Sequence, residues 1–362
     1  MSVLQVRVDL PGRLRASITA RPGEVVAVIG PNGAGKTTLL EAVAGTLHEG
    51  HGMVRLGDED WTGLPPQERA CGLVFQEHLL FPHLDARGNV EFGLRARGVP
   101  RRRARVEAQR WLERLGIAAA AERRPAALSG GQAQRVAMAR ALAPDPRVLL
   151  LDEPFAALDV AVAADLRDLL RVHLRAFTGV GLLVTHDALD VRALADRVVV
   201  LQDGTVAQDD TPAGVAEAPA TSHAARLLGL NVVPAADVVV PGTRQPGALA
   251  TFSPSAITLT ADEPVGSARN RWRTTVHRAV ERDGVVRVHL LGGPATDGAL
   301  YADVTPGAAT ELDLVPGRVV WSSVKATEVT ALEVGSTERP GDGAAPGGRG
   351  PSRTVEARVD DR

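Results

Sequence analysis

Lysine is nearly absent from this chain: of 41 basic residues only two, Lys36 and Lys325, are lysines. Where nearly every cation is an arginine, a lysine marks a place that wants a compact ammonium rather than a planar fork. Cysteine is almost as scarce. The single Cys71 excludes an internal disulfide and predicts a reducing compartment. Charge of one sign is also missing, because a formal net charge of −2 leaves no footprint for duplex nucleic acid, and none is expected as a partner. No apolar run approaches the roughly 18–20 residues needed to span a bilayer; the longest, VVAVIG at 25–30 and VVVL at 198–201, have strand length. The opening MSVLQVRVDL lacks the basic-then-apolar layout of a signal peptide. These absences predict a soluble cytoplasmic chain that meets a membrane only by docking on a partner.

What is present divides the chain in three. Residues 1–230 alternate apolar strand-like runs with longer helical stretches, the pattern of α/β layering. Strands are predicted at 24–30, 72–75, 147–153, 181–187 and 197–204, and helices at 35–45, 102–116 and 159–177. Residues 231–333 carry short, alternating, β-branched runs broken by Gly and Pro, which predicts an all-β domain. Residues 334–362 have no apolar periodicity and are rich in Gly, Pro and charge, which predicts a disordered tail.

Two motifs carry chemistry on their residue types alone. GPNGAGKTT (30–38) follows an apolar strand and opens a helix. Its spacing from Gly30 through Pro31, Asn32, Gly33 and Ala34 to Gly35, Lys36, Thr37 and Thr38 is that of a phosphate-binding loop. The glycines let backbone N–H groups converge on phosphates, Lys36 reaches the β- and γ-oxygens, and the Thr37 hydroxyl can ligate Mg²⁺. RVLLLDEP (147–154) ends a strand in two carboxylates, Asp152 for the metal shell and Glu153 for the attacking water. The implied cofactors are ATP and Mg²⁺.

Three further segments narrow the class. LSGGQAQRVAMARAL (128–142) closely resembles the signature of ATP-binding-cassette ATPases. Gln76 resembles their Q-loop, His186 in LLVTHD their switch histidine, and FAALD (155–159) their D-loop. The resemblance implies an α/β P-loop NTPase fold over residues 1–230 and a homodimer of two cassettes paired head to tail. Ser129, Gly130, Gly131 and Gln132 of one copy would then face the triphosphate held by Lys36 of the other. Gln76 would sense both the metal and the water, and His186 the γ-phosphate. The family usually places an aromatic ring before the P-loop to stack on adenine. Residues 1–36 contain no Phe, Tyr, Trp or His, so that place falls to Leu14 or to the stem of Arg13 or Arg15.

FPHLDARGNVEFGL (81–94) resembles the segment of importer ATPases that receives a helix of the membrane permease, which assigns permease docking to the region around 76–94. FSPSAITL (252–259) resembles the start of their accessory β-domain, a small OB-like barrel. SARNRWRTTV (267–276) and the run at 305–332 are similar to the molybdate-binding domain of molybdate-importer ATPases. That resemblance implies oxyanion contacts from Ser267, Arg269, Asn270 and Lys325. Ala308 stands where the family commonly has a serine donor. The implied protein is the ATPase of a molybdate or tungstate importer, on the cytoplasmic face of the membrane and fed indirectly by a separate binding protein. The alternatives are an importer for sulfate, iron, polyamine or sugar, and a soluble cassette or oxyanion-storage protein without a permease.

Overall fold

The structure, a computed structural model, describes residues 2–47, 51–75, 79–156, 158–241, 249–282, 284–296 and 298–332. Gln76 and the tail expected at 334–362 lie outside the described residues.

Ten strands form the first sheet: β1 (Leu4–Leu10), β2 (Leu14–Ala20), β3 (Val25–Ile29), β4 (His51–Leu56), β5 (Glu59–Asp60), β6 (Cys71–Val74), β7 (Val148–Asp152), β8 (Val180–Val184), β9 (Arg197–Gln202) and β10 (Thr205–Asp210). Their order is β5-β4-β1-β2-β10-β9-β3-β8-β7-β6. The two halves are built on different periods. β1 and β2 pair antiparallel and alternate buried with exposed residues, so one face packs inward and the other meets water. β3 and β8 are buried at every position, as parallel strands covered on both faces must be.

The covering helices are α1 (Lys36–Ala44) on one face and, on the other, α2 (Ala86–Ala96), α3 (Arg101–Arg114), α4 (Gly130–Leu142) and α5 (Val160–Ala176). Leu39, Leu40 and Val43 of α1 share a core with Val26, Val28, Leu150 and Leu182. The opposite core joins Leu149, Leu151 and Leu183 to Leu112, Val136, Leu166 and Leu170. Each such side chain removed from water contributes about 1.5–3 kcal/mol. Three shorter helices follow, α6 (Ala188–Leu194), α7 (Pro212–Glu217) and α8 (Ser222–Leu227), packing on β9 through Val191, Val215 and Ala224.

Arg69 pins α1 from below. It is buried, and its guanidinium donates to the carbonyls of Ala42 and Val43 at 2.6 and 2.8 Å and to Leu64 at 2.8 Å. A cation at the C-terminal end of a helix satisfies carbonyls that have no intrahelical partner.

Beyond α8 the architecture changes to small antiparallel sheets. β11 (Asn231–Pro234), β12 (Leu249–Phe252) and β18 (Thr330–Leu332) make one; β13 (Thr258–Thr260), β17 (Val319–Val324), β14 (Asn270–Arg282), β15 (Val285–Leu291) and β16 (Ala299–Val304) make the other, in that spatial order. They enclose one core around Phe252, Val288, Leu290, Leu300 and Val320. One short helix, α9 (Pro306–Glu311), interrupts the strands. Thr305 caps it by accepting from Ala308 N at 3.2 Å, and Pro306 sits in its first turn, where a missing N–H costs nothing. Among the described residues no helix is long and apolar enough to cross a membrane.

Candidate functional site

The sheet order explains why distant motifs meet. β3, β8 and β7 are parallel neighbours, so the segments leaving their C-terminal ends emerge at one edge. Those segments are the Gly30–Gly35 loop, Thr185–His186 and Asp152–Glu153.

The loop is shaped by two glycines. Gly35 has φ +98°, and a Cβ there would lie 2.9 Å from Leu14 Cδ1 and 3.1 Å from the Arg13 carbonyl. A Cβ at Gly30 would meet the Leu201 carbonyl oxygen more closely still. Gly35 caps α1 without a side chain, and the first residues of the helix, Lys36, Thr37 and Thr38, line a cavity with Asn32 and Glu153, about 430 Å³ in volume. Lys36 is buried, and its Nζ donates to the carbonyls of Gly30 and Pro31 at 2.8 and 3.0 Å. Burial lowers its pKa, against the opposing pull of Glu153 and Asp152. The reverse holds at Asp152, where burial and then Glu153 push the carboxyl above its ordinary range and Lys36 pulls it down. A hard cation beside Asp152 and the Thr37 hydroxyl meets the oxygen donors it prefers.

Glu153 has φ +45°, an unfavourable conformation for a residue with a side chain. Its N–H donates to the Val184 carbonyl at 2.9 Å, which fixes the turn against the end of β8. The result is a contact between Glu153 Oε2 and His186 Nδ1 at 3.3 Å. Both residues line a second cavity of about 380 Å³ with Phe155, Arg167, Thr185 and Asp190.

A third cavity of about 390 Å³ adjoins the phosphate loop and shares Gly12, Arg13 and Gly33 with it. Of the three residues considered for the base, Leu14 is buried under Gly35 and Arg15 is paired with Asp9 at 3.2 Å. Arg13 lines both cavities.

The signature residues stand apart. Ser129 and Gln132 form a reciprocal cap on α4: Ser129 Oγ accepts from Gln132 N at 3.3 Å, and Gln132 Oε1 accepts from Ser129 N at 3.1 Å. None of residues 129–132 lines the phosphate cavity or the cavity at Glu153 within one chain. Gln134, which the sequence did not single out, is buried and donates from Nε2 to the Pro154 carbonyl at 2.5 Å, tying α4 to the turn after Glu153.

The segment 81–94 folds as a loop leading into α2. Asp85 caps the helix, accepting from Gly88 N at 2.6 Å. Asn89 is wholly buried and clamps the loop: its Oδ1 accepts from Phe81 N at 2.7 Å, and its Nδ2 donates to the Asp85 carbonyl at 2.9 Å. Phe81 packs on Phe92 at 4.5 Å between ring centres, and Phe92 is half exposed.

Of the four residues expected at an oxyanion, the structure brings two together. Ser267 and Lys325 line one cavity of about 600 Å³ with Ser253, Ser255, Thr258, Ser323 and Glu328. Arg269 is exposed and does not line it. Asn270 is committed elsewhere: buried, it accepts from Val239 N at 2.6 Å and donates to the Val239 carbonyl at 3.2 Å. Ala308 is in α9, outside the cavity lining, so its lack of a hydroxyl removes no donor from this cavity. The hydroxyls of Ser253, Ser255, Thr258 and Ser323 were not foreseen; serine and threonine are too common for any spacing to signal them.

Residues 14–156 match the ABC transporter family, and residues 266–331 match the TOBE domain. The molybdenum import ATP-binding protein ModC of Mycobacterium tuberculosis is 43% identical over 361 residues, covering 91% of this chain and 97% of the relative. The chain belongs to the ABC transporter ATPases. It is an importer ATPase, and two further relatives are named as import ATP-binding proteins. The Fe(3+) ions import ATP-binding protein FbpC of Streptomyces coelicolor is 41% identical, covering 82% of this chain and 88% of the relative. The sulfate/thiosulfate import ATP-binding protein CysA of Mycobacterium bovis is 39% identical, covering 86% and 87%. Among solved structures, a dimeric post-hydrolysis state of the ATP-binding cassette MJ0796 bound to ADP and Pi superposes with a TM-score of 0.52. It is 29% identical and covers 59% of this ABC ATPase and 99% of that chain.

Proposed function

We propose that this ABC ATPase drives molybdate import as a homodimer at the cytoplasmic face of the membrane. The observation that carries the substrate reading is the cavity that Ser267 and Lys325 line together with Ser253, Ser255, Thr258, Ser323 and the acid Glu328; a tetrahedral oxyanion takes hydroxyl donors and a cation of this kind. The match to the molybdenum import relative, which runs through this region and covers 97% of that protein, supports it.

In the ATP site, the loop N–H groups and Lys36 hold the β- and γ-phosphates, and the Arg13 guanidinium stacks on the base. Thr37 and Asp152 would hold Mg²⁺, which would supply positive charge to the phosphate oxygens. Glu153 takes the proton of the attacking water, and His186, at 3.3 Å from it, contacts the γ-phosphate. Ser129, Gly130 and Gly131 lie outside the lining of their own chain's phosphate cavity, which fits a role opposite the partner copy's nucleotide. The exposed Phe92 and the clamped loop 81–85 present an apolar, preorganised surface that suits a permease helix.

Uptake in a strain lacking this gene tests the substrate. Molybdate uptake is expected to be lost with sulfate and ferric uptake intact; loss of sulfate or iron uptake with molybdate unaffected would reverse the assignment.

A further inference from the structure

His186 poses a positioning problem: its side chain is 60% exposed, so its own packing cannot fix the imbalance of freedom at the 3.3 Å contact with Glu153. The restraint comes from its neighbours in the chain. Thr185 Oγ1 donates to Asp190 Oδ2 at 2.6 Å and accepts from Asp187 N at 3.0 Å. The Asp187 carboxylate accepts from Leu189 N at 2.8 Å, starting α6. Both carboxylates converge on one guanidinium: Arg167 Nε donates to Asp190 Oδ1 at 2.7 Å, and Arg167 Nη2 to Asp187 Oδ2 at 3.3 Å.

Arg167 also reaches the other side of the site. Its guanidinium lies over the Phe155 ring at 5.2 Å, two residues beyond Glu153. One side chain of α5 therefore touches both the segment that carries His186 and the segment that carries Glu153. Asp190 is almost fully buried, and its ion pair with Arg167 leaves the two side chains 4% and 11% exposed. Burial lifts the Asp190 carboxyl above its ordinary pKa against the hydrogen bonds from Thr185 and Arg167, so its ionised form depends on that arginine. A lysine could supply the charge but not two divergent N–H bonds together with a planar face on a ring.

We propose that Arg167 is a positioning residue for ATP hydrolysis, setting the separation of His186 and Glu153 through Asp190, Asp187 and Phe155. The inference rests on the reading that His186 works with Glu153, and its consequence is a dependence between residues: Arg167 matters to turnover only while His186 is there to be positioned.

The test compares the full chain with Arg167→Met, Arg167→Lys, His186→Ala and the Arg167→Met/His186→Ala double variant, under saturating ATP. Arg167→Met is expected to lower kcat about 10- to 100-fold, with KM for ATP within about twofold of wild type. Arg167→Lys should recover part of that loss, and in the His186→Ala background Arg167→Met should cost less than about twofold further. A merely structural role would lower turnover in both backgrounds alike, and that additive result, or an unchanged kcat in folded Arg167→Met, overturns the proposal. Should Arg167→Met fail to fold, the near-isosteric Asp190→Asn carries the same comparison. His186→Ala turning over at the wild-type rate would instead overturn the reading beneath, and the single variant reports that separately.

Discussion

Glu153 and Val184 are joined by a backbone hydrogen bond of 2.9 Å that crosses from the end of β7 to the end of β8. It holds Glu153 at φ +45°, and that unusual conformation brings the carboxylate to 3.3 Å from His186 Nδ1. The strained residue is thus the one assigned to activate water, and neighbouring strands hold it there.

Glu153→Gln follows from this geometry. The amide keeps the size of the carboxylate but cannot take a proton, so phosphate release should fall by about 10²–10⁴-fold while ATP binding persists. Size-exclusion chromatography with light scattering at saturating ATP should then find a dimer. A monomer under those conditions would contradict the paired-cassette mechanism.

Arg69→Met tests what anchors α1. The variant leaves the carbonyls of Ala42, Val43 and Leu64 without their donor in a buried place. A loss of about 3 kcal/mol is expected, read as a lower urea midpoint with an unchanged slope. Lysine should rescue little of it, because one ammonium cannot span carbonyls spread over two segments.

The difference between Lys36 and Arg69 shows what the sequence could and could not disclose. Lys36, Thr37, Asp152 and Glu153 were legible because phosphate chemistry dictates residue type and spacing together, with a strand before and a helix after. β3 and β8 were legible as continuous apolar runs. Arg69, Asn89, Arg167 and Gln134 were not, because three of them bond to backbone carbonyls and the fourth to carboxylates, groups that leave no pattern in the sequence around them. The antiparallel pair β1 and β2 carries a clear alternation in LQVRVDL and LRASITA, the mark of strands with one face in water. Asn270 misled for the opposite reason: its neighbours match the oxyanion turn, but its amide is spent on Val239.

His223 should give the protein an acid-sensitive stability. Burial lowers its pKa below the ordinary 6.5, with Lys36 and Arg226 adding to the effect. The unfolded chain therefore binds the proton more readily, and stability rises with pH across the interval between the two values. The contribution is full above about pH 6.5 and is lost as pH falls toward the folded value. His223→Phe removes the titrating group, so melting temperatures of variant and wild type should diverge below pH 6.5 in the variant's favour. An unchanged pH slope would show that another group governs it.

Asn89→Ala should separate chemistry from coupling. Deleting the amide frees the loop at Phe81–Asp85 and leaves the half-buried Phe81 N–H without its partner, at about 2 kcal/mol, while the Asp85 carbonyl keeps the backbone N–H of residue 89. Turnover of the free chain should be unchanged, since no atom of Asn89 lines the nucleotide cavities. Stimulation by the permease and uptake should fall together. Intact uptake would remove this loop from the docking surface.

Lys325 shares its cavity with an acid, Glu328, and the two make opposite predictions. If the cavity holds a molybdate dianion, the ammonium attracts it and the carboxylate repels it. Losing a charge-assisted bond worth about 1.5–3 kcal/mol should weaken molybdate binding about 10- to 100-fold in Lys325→Ala. Glu328→Gln removes the repulsion and should tighten binding. Calorimetry of the full chain with molybdate, tungstate and sulfate measures both changes without relying on ATP turnover. The two shifts must run in opposite directions. Were both variants to bind as wild type does, Lys325 would be an exposed charge at the end of β17, while Lys36 would keep its place at the Gly30–Gly35 loop.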